Sequence, residues 1–192
     1  MRNYPAIMAI SIIFVLMSSV LSQPNITPDV QVDYLIKILK YNKSVTETPG
    51  DEVRVGIIYA NNTESTQYYQ AFDDALFEKV KAKEAIVGKK LNYSGILFSS
   101  EDKFQKDLQS LKFSVFLIID GNDNNLLSIC KVAQQQGILT FSGVKRYLNN
   151  GVTSGVENID GQNKVVINLN SANSAGANFK AELLNIAKVI RS

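Results

Sequence analysis

Four short polar stretches each follow an apolar run: Tyr59-Ala60-Asn61-Asn62, Ser99-Ser100, Asp120-Gly121-Asn122 and Ser142-Gly143. Asn61, Asn62 and Asn122 bring amides, Ser99 and Ser142 bring hydroxyls, and Asp120 brings the carboxylate of the set. That chemistry suits hydrogen bonding to a small ligand or a peptide. The same residue types also cap helices and close turns, so a purely architectural use is the competing reading.

Catalysis asks for more. The chain contains no histidine, which removes Ser-His-Asp triads, imidazole acid/base chemistry and His-containing zinc sites. Asp73 and Asp74 are adjacent in a segment of helical periodicity, where neighbours face different directions, so they make no acid/base dyad. Asp120 and Asp123, with Gly121 and Asn122 between them, have the composition of a calcium loop but neither its ligand spacing nor its terminal glutamate. Cys130 sits in an apolar helical pattern with Ile129 and Val132 and has no histidine to activate it, so it reads as a buried, inert thiol. These residues supply no catalytic group, metal ligand or cofactor site, and the chain reads as a non-enzyme.

The elements that would position the rim alternate. Residues 53–59 (VRVGIIY), 91–98 (LNYSGILF), 113–119 (FSVFLII) and 138–141 read as strands. Tyr69, Phe72, Leu76 and Val80 mark a helix over 64–83, Phe104, Leu108 and Leu111 mark another capped by Ser99 or Ser100, and a third spans 123–136. Parallel neighbours need crossover connections, which such helices supply. In an open parallel sheet, ligands bind outside the carboxyl ends of the strands, which is where the four polar stretches fall.

Either end of the chain departs from this alternation. Thr27-Pro28-Asp29 starts a helix over 29–40 with Val32, Leu35, Ile36 and Leu39 on one face, and residues 43–52 read as a loop. Near the other end, 152–156 and 164–169 flank the turn signal Asp160-Gly161 and predict an antiparallel hairpin at a sheet edge. A closing helix is expected over 171–190, because Ala172, Ala175, Phe179, Leu183, Ile186 and Ile190 recur at spacings of 3, 4, 4, 3 and 4. The expected fold is therefore α/β. It is a single-domain, three-layer arrangement of a mostly parallel sheet with helices on both faces, a C-terminal antiparallel hairpin and a closing helix.

Arg2, the uncharged apolar run Ala6–Val20 and the small residue Ser22 have the layout of a secretory signal peptide. The run is about 15 residues, short of the roughly 20 that cross a bilayer as a helix. Cleavage is expected near Ser22/Gln23, giving a signal peptide at 1–22, one domain at 23–192, export to the periplasm and no stable membrane insertion afterwards. With 20 basic and 18 acidic side chains, the chain has no excess of positive charge for nucleic acid. Cys130 is the only cysteine, so no internal disulfide forms.

Tyr147 and Leu148 lie in a connection (SGVKRYLNNGVTSG) where no helical or strand stripe claims them for the core. Apolar side chains there are either tucked over the sheet or displayed to a partner. Displayed, they are the candidate partner-binding residues.

Three passages carry a resemblance: VDYLIKILKY at 32–41, VRVGIIY at 53–59 and, most specifically, the stretch ILTFSGVKRYLNNG through LLNIAKVI at 138–190. In the order of their elements they resemble the YfiR-like family of bacterial periplasmic regulatory proteins. The resemblance implies a periplasmic, non-enzymatic regulator. Such a protein binds and restrains the extracytoplasmic domain of a membrane signalling protein such as a diguanylate cyclase, so that envelope conditions set cyclic-di-GMP output. A homodimer is compatible with this reading. The alternative is a periplasmic small-molecule-binding module, for which Asn61, Asn62, Ser99, Asp120, Asn122 and Ser142 are the ligand-rim candidates.

Overall fold

Thr27 holds an extended backbone and Pro28 opens helix α1 (Pro28–Lys40) at the position where a missing N–H is harmless. In the computed structural model, residues 26–109 and 111–192 are described; the signal peptide expected over 1–22 lies outside them. Asp29 in the first turn and Lys37 and Lys40 in the last complement the helix dipole. The stripe Val32, Leu35, Ile36 and Leu39 is buried, as its spacing predicts.

The strands are β1 (Glu52–Ala60), β2 (Ala85–Ile86), β3 (Lys89–Phe98), β4 (Val115–Ile118), β5 (Leu139–Ser142), β6 (Ser154–Ile159), β7 (Gln162–Asn168) and β8 (Lys188–Ile190). They form one sheet in the order β2-β3-β1-β4-β5-β6-β7-β8. The pairs β1/β3, β1/β4, β4/β5, β5/β6 and β7/β8 are parallel, while β2/β3 and β6/β7 are antiparallel. Helices α3 (Thr63–Lys81), α4 (Glu101–Leu108) and α5 (Leu126–Gln135) are the crossovers. The chain leaves β1 towards β3 and then returns across it to β4. The direction of winding thus reverses between β1 and β4, and open sheets leave a crevice at such a point.

Two cores sandwich the sheet. Val53, Val55 and Ile57 of β1 face α1 and α3 with Leu35, Leu39, Phe72 and Leu76. Ile58, Phe116 and Ile118 face the other way, onto Phe104 of α4 and Ile129 and Val132 of α5. Every side chain of β4 is buried, which explains why its sequence shows no alternation. The α/β, three-layer architecture is the expected one.

The end of the chain differs in detail. Asp160 and Gly161 both have positive φ, 53° and 77°, the geometry of a two-residue hairpin turn between β6 and β7. That hairpin does not form the edge, because β8 pairs with β7 outside it. The continuous helix expected over 171–190 is also not observed. Two short helices, α7 (Leu169–Ser174) and α8 (Ala181–Ile186), lead into β8. Gly176, at φ 68°, ends α7 by the left-handed turn typical of helix C-termini, with the Ala177 N–H bonded to the Ala172 carbonyl at 2.9 Å. Leu183 is then fully buried while Ile186 is 59% exposed. In a single helix they would share the buried face.

Two smaller departures accompany these. The expected loop over 43–52 begins with a one-turn helix α2 (Lys43–Thr46), capped by the Asn42 side chain. Leu111 lies beyond α4 and is partly exposed, so it does not extend the stripe of Phe104 and Leu108.

Candidate functional site

The polar stretches do gather at the carboxyl ends of the parallel strands, but most of their side chains hold backbone together. Asn62 caps α3 by accepting the Ser65 N–H at 2.8 Å, and its amide donates to the Gly121 carbonyl at 2.9 Å. The crevice between β1 and β4 is thus clamped from side to side. Asn122 is fully buried and donates to the Ile58 and Ile119 carbonyls at 3.1 and 3.0 Å. Ser142, also fully buried, donates to the Ile118 carbonyl at 2.8 Å and accepts the Val144 N–H. Asn122 and Ser142 therefore knit neighbouring strand ends together and offer no open rim to a ligand. Ser99 is exposed next to Ser100, whose hydroxyl caps α4. Asn61 is exposed beside Asn62.

Tyr147 and Leu148 belong to a one-turn helix, α6 (Lys145–Leu148), and each is only 1% exposed. The reading of this pair as displayed partner anchors is thereby corrected. Both pack into the core beneath α4 and α5, and the Tyr147 hydroxyl accepts the Asn122 N–H at 2.8 Å. No periodicity marked them because α6 is a single turn, too short for a stripe. Cys130 is buried, and burial pushes its thiol up to about 12, so it carries little thiolate at neutral pH.

Arg146, which the sequence reading passed over, organises the open part of the rim. Its guanidinium bridges Asp120 and both carboxylate oxygens of Asp123, and lies 4.9 Å from the centre of the Tyr147 ring. The hydrogen bond from Arg146 holds the Asp123 carboxyl down at about 2 against the opposing effect of burial. A second charged group stands nearby. Glu157 of β6 is 7% exposed and pairs with Lys145 at 2.6 Å and Lys188 at 2.9 Å. Burial alone would raise its pKa, but the two lysines outweigh it and hold the carboxyl below the usual range.

Between these two clusters lies a cavity of about 470 Å³, within the range of small-ligand pockets. Tyr68 and Phe72 of α3, with Ile119 and Val144, supply its apolar wall, and Gln31 and Asn158 supply amides. Asp120, Arg146, Lys145 and Glu157 carry its charge. Of the ligand-rim candidates, only Asp120 reaches this cavity. Gln31 and Glu157 carried no legible signal, since neither belongs to the polar stretches at the strand ends and only the fold brings them to the cavity.

The comparisons with known proteins bear on the whole of this architecture. A family model described as YfiR/HmsC-like matches residues 28–188. The chain belongs to the YfiR/HmsC-like family. That family is one of periplasmic regulators, so the coarse role implied by the sequence resemblance stands. No curated protein matches the chain.

Solved structures extend the likeness in fold alone. The "ABC domain" from Streptococcus pneumonia, in complex with L-Trp, matches with a TM-score of 0.59 at 14% identity, over 85% of this chain and 60% of that one. A conserved domain protein from Vibrio cholerae matches with a TM-score of 0.58 at 15% identity, over 86% and 60%. An open, ligand-free substrate-binding protein with adhesive properties from Clostridium difficile also gives 0.58, at 13% identity, over 87% and 60%. This YfiR/HmsC-like chain therefore spans about three fifths of the length of each.

Proposed function

We propose that the chain is an exported, non-enzymatic regulator that binds the extracytoplasmic domain of a membrane signalling protein such as a diguanylate cyclase and holds it in its less active state. The observation that carries this is the family match over residues 28–188. It is supported by the absence of histidine, by the burial of Cys130 and by the structural use of Asn62, Asn122 and Ser142. A repressor of this kind works only through a difference in affinity for two states of its target. The test is titration of the purified protein against the isolated periplasmic domain of such a cyclase. Saturable binding supports the proposal, and no binding at any accessible concentration speaks against it.

The second reading, a periplasmic small-molecule-binding module, is favoured by one observation, the cavity between the Arg146 and Glu157 clusters. Native mass spectrometry of freshly purified protein tests it. A retained mass that disappears on unfolding supports a ligand in that cavity.

A further inference from the structure

A second concavity, sharing no residue with the first, opens beside the carboxyl end of β1 and the first turns of α3. Its volume is about 770 Å³. Tyr59 and Tyr69 form the aromatic part. Asn61, Asn62, Gln67 and Gln70 supply four carboxamides, that of Asn62 already engaged with Ser65 and Gly121, two threonines supply hydroxyls, and no charged side chain among the described residues lines it.

Its parts are fixed in different ways. The Tyr59 and Tyr69 rings stack with centroids 4.3 Å apart and planes 30° from parallel. Tyr69 lies so close over Gly95 of β3 that a Cβ there would come within 2.5 Å of the phenol oxygen. Its hydroxyl donates to Asp73 at 3.2 Å, and the Gln70 amide donates to Asp74 at 3.0 Å. The carboxylates on α3 thus orient lining groups from outside the groove. Asn61, Thr63 and Gln67 are exposed and have no side-chain hydrogen bond among the described residues.

The ligand class follows from what such a surface can satisfy. An anion would lose hydration and find no counter-charge, and a cation would find only the Asp73 and Asp74 carboxylates behind the groove, already engaged by Tyr69 and Gln70. A hydrocarbon would strip water from the amides and hydroxyls and leave them unpaired. A peptide could not add as a strand, because β1 is already paired on both sides by β3 and β4. A neutral sugar meets each condition. Its hydroxyls both donate and accept, as carboxamides do, and the C–H face of a pyranose ring can cover a tyrosine.

From this groove we infer that the protein carries a binding site for a neutral saccharide, with Tyr59 and Tyr69 as the platform and Asn61 and Gln67 as the free hydrogen-bonding pair. The site is independent of the regulatory role proposed above and of the Arg146 cavity.

The experiment is calorimetric titration of the purified protein with a cello-oligosaccharide and with an oligomer of N-acetylglucosamine. An acidic galacturonate oligomer and an uncharged peptide serve as controls. Binding of either neutral oligosaccharide, with preference over both controls, is expected. Which one binds distinguishes a plain hexose from an N-acetylated wall-type glycan as the source. The double variant Asn61→Ala/Gln67→Ala should weaken that binding by about tenfold or more with an unchanged thermal midpoint, since both side chains are exposed and unbonded. Tyr59→Phe, which keeps the ring, should retain most of the affinity. Lack of binding by both neutral sugars, tighter binding of a control, or undiminished affinity in the double variant would each overturn the inference.

Discussion

The phenolic oxygen of Tyr147 accepts the backbone N–H of Asn122 at 2.8 Å, although 25 residues separate them in the chain. The same hydroxyl donates to Asp123 at 3.1 Å. One buried side chain on α6 therefore fixes the loop that follows β4, on which Asp120 and Asp123 are presented to Arg146.

Tyr147→Phe keeps the ring in the core but leaves the Asn122 N–H without its partner. It should lower stability by about 1–3 kcal/mol, and Tyr147→Ala by about 3–5 kcal/mol through the cavity it opens. Denaturant unfolding measures both. A near-wild-type midpoint for Tyr147→Ala would return this side chain to the surface.

Much of the sheet, α1 and the α3 crossover could be read from the chain, because Val32, Leu35, Ile36 and Leu39, like Tyr69, Phe72, Leu76 and Val80, repeat over enough turns to show their period. Tyr147 and Leu148 could not be read this way, since burial in a one-turn helix is decided by packing from distant elements. The closing segment misled for a different reason. Its spacing fits one helix, but the left-handed Gly176 breaks the period and Lys188–Ile190 finds hydrogen bonds along β7. The rim was located by the rule for parallel sheets, yet its occupants Asn122 and Ser142 are structural, and Arg146, Glu157 and Gln31 gained their setting only from tertiary contacts.

In the closing segment, Leu183→Ala should lower stability by about 2–5 kcal/mol, because the side chain is fully buried. Ile186→Ala should change it by no more than about 0.5 kcal/mol. A continuous amphipathic helix would make both substitutions costly, so the contrast in thermal midpoints distinguishes the two structures.

The acid limb of stability should depend on Asp123. Its carboxyl is held at about 2 in the folded state, first by Arg146, and returns to about 3.9 on unfolding. A depressed folded pKa gives stability that is fully present above the unfolded value and is lost as pH falls through the folded one. Midpoints recorded from neutral pH downward should therefore drop between about pH 4 and pH 2, and Asp123→Asn should show a shallower drop. Glu157 adds a contribution of the same sign. An unaltered acid limb in Asp123→Asn would mean that the Arg146 bridge forms no part of it.

Native protein should resist thiol alkylation at neutral pH and react stoichiometrically once denatured, because burial raises the Cys130 thiol to about 12. Equal labelling rates in the two states would show that α5 opens readily.

Regulation by binding an envelope partner is tested most directly by cellular cyclic-di-GMP, measured after deletion of the gene and after its restoration with or without residues 1–22. Deletion should raise the level, the full chain should restore it, and the chain lacking residues 1–22 should not, because the proposed target domain lies across the inner membrane. An unchanged level on deletion, or equal restoration by both forms, would contradict a periplasmic restraint on a diguanylate cyclase.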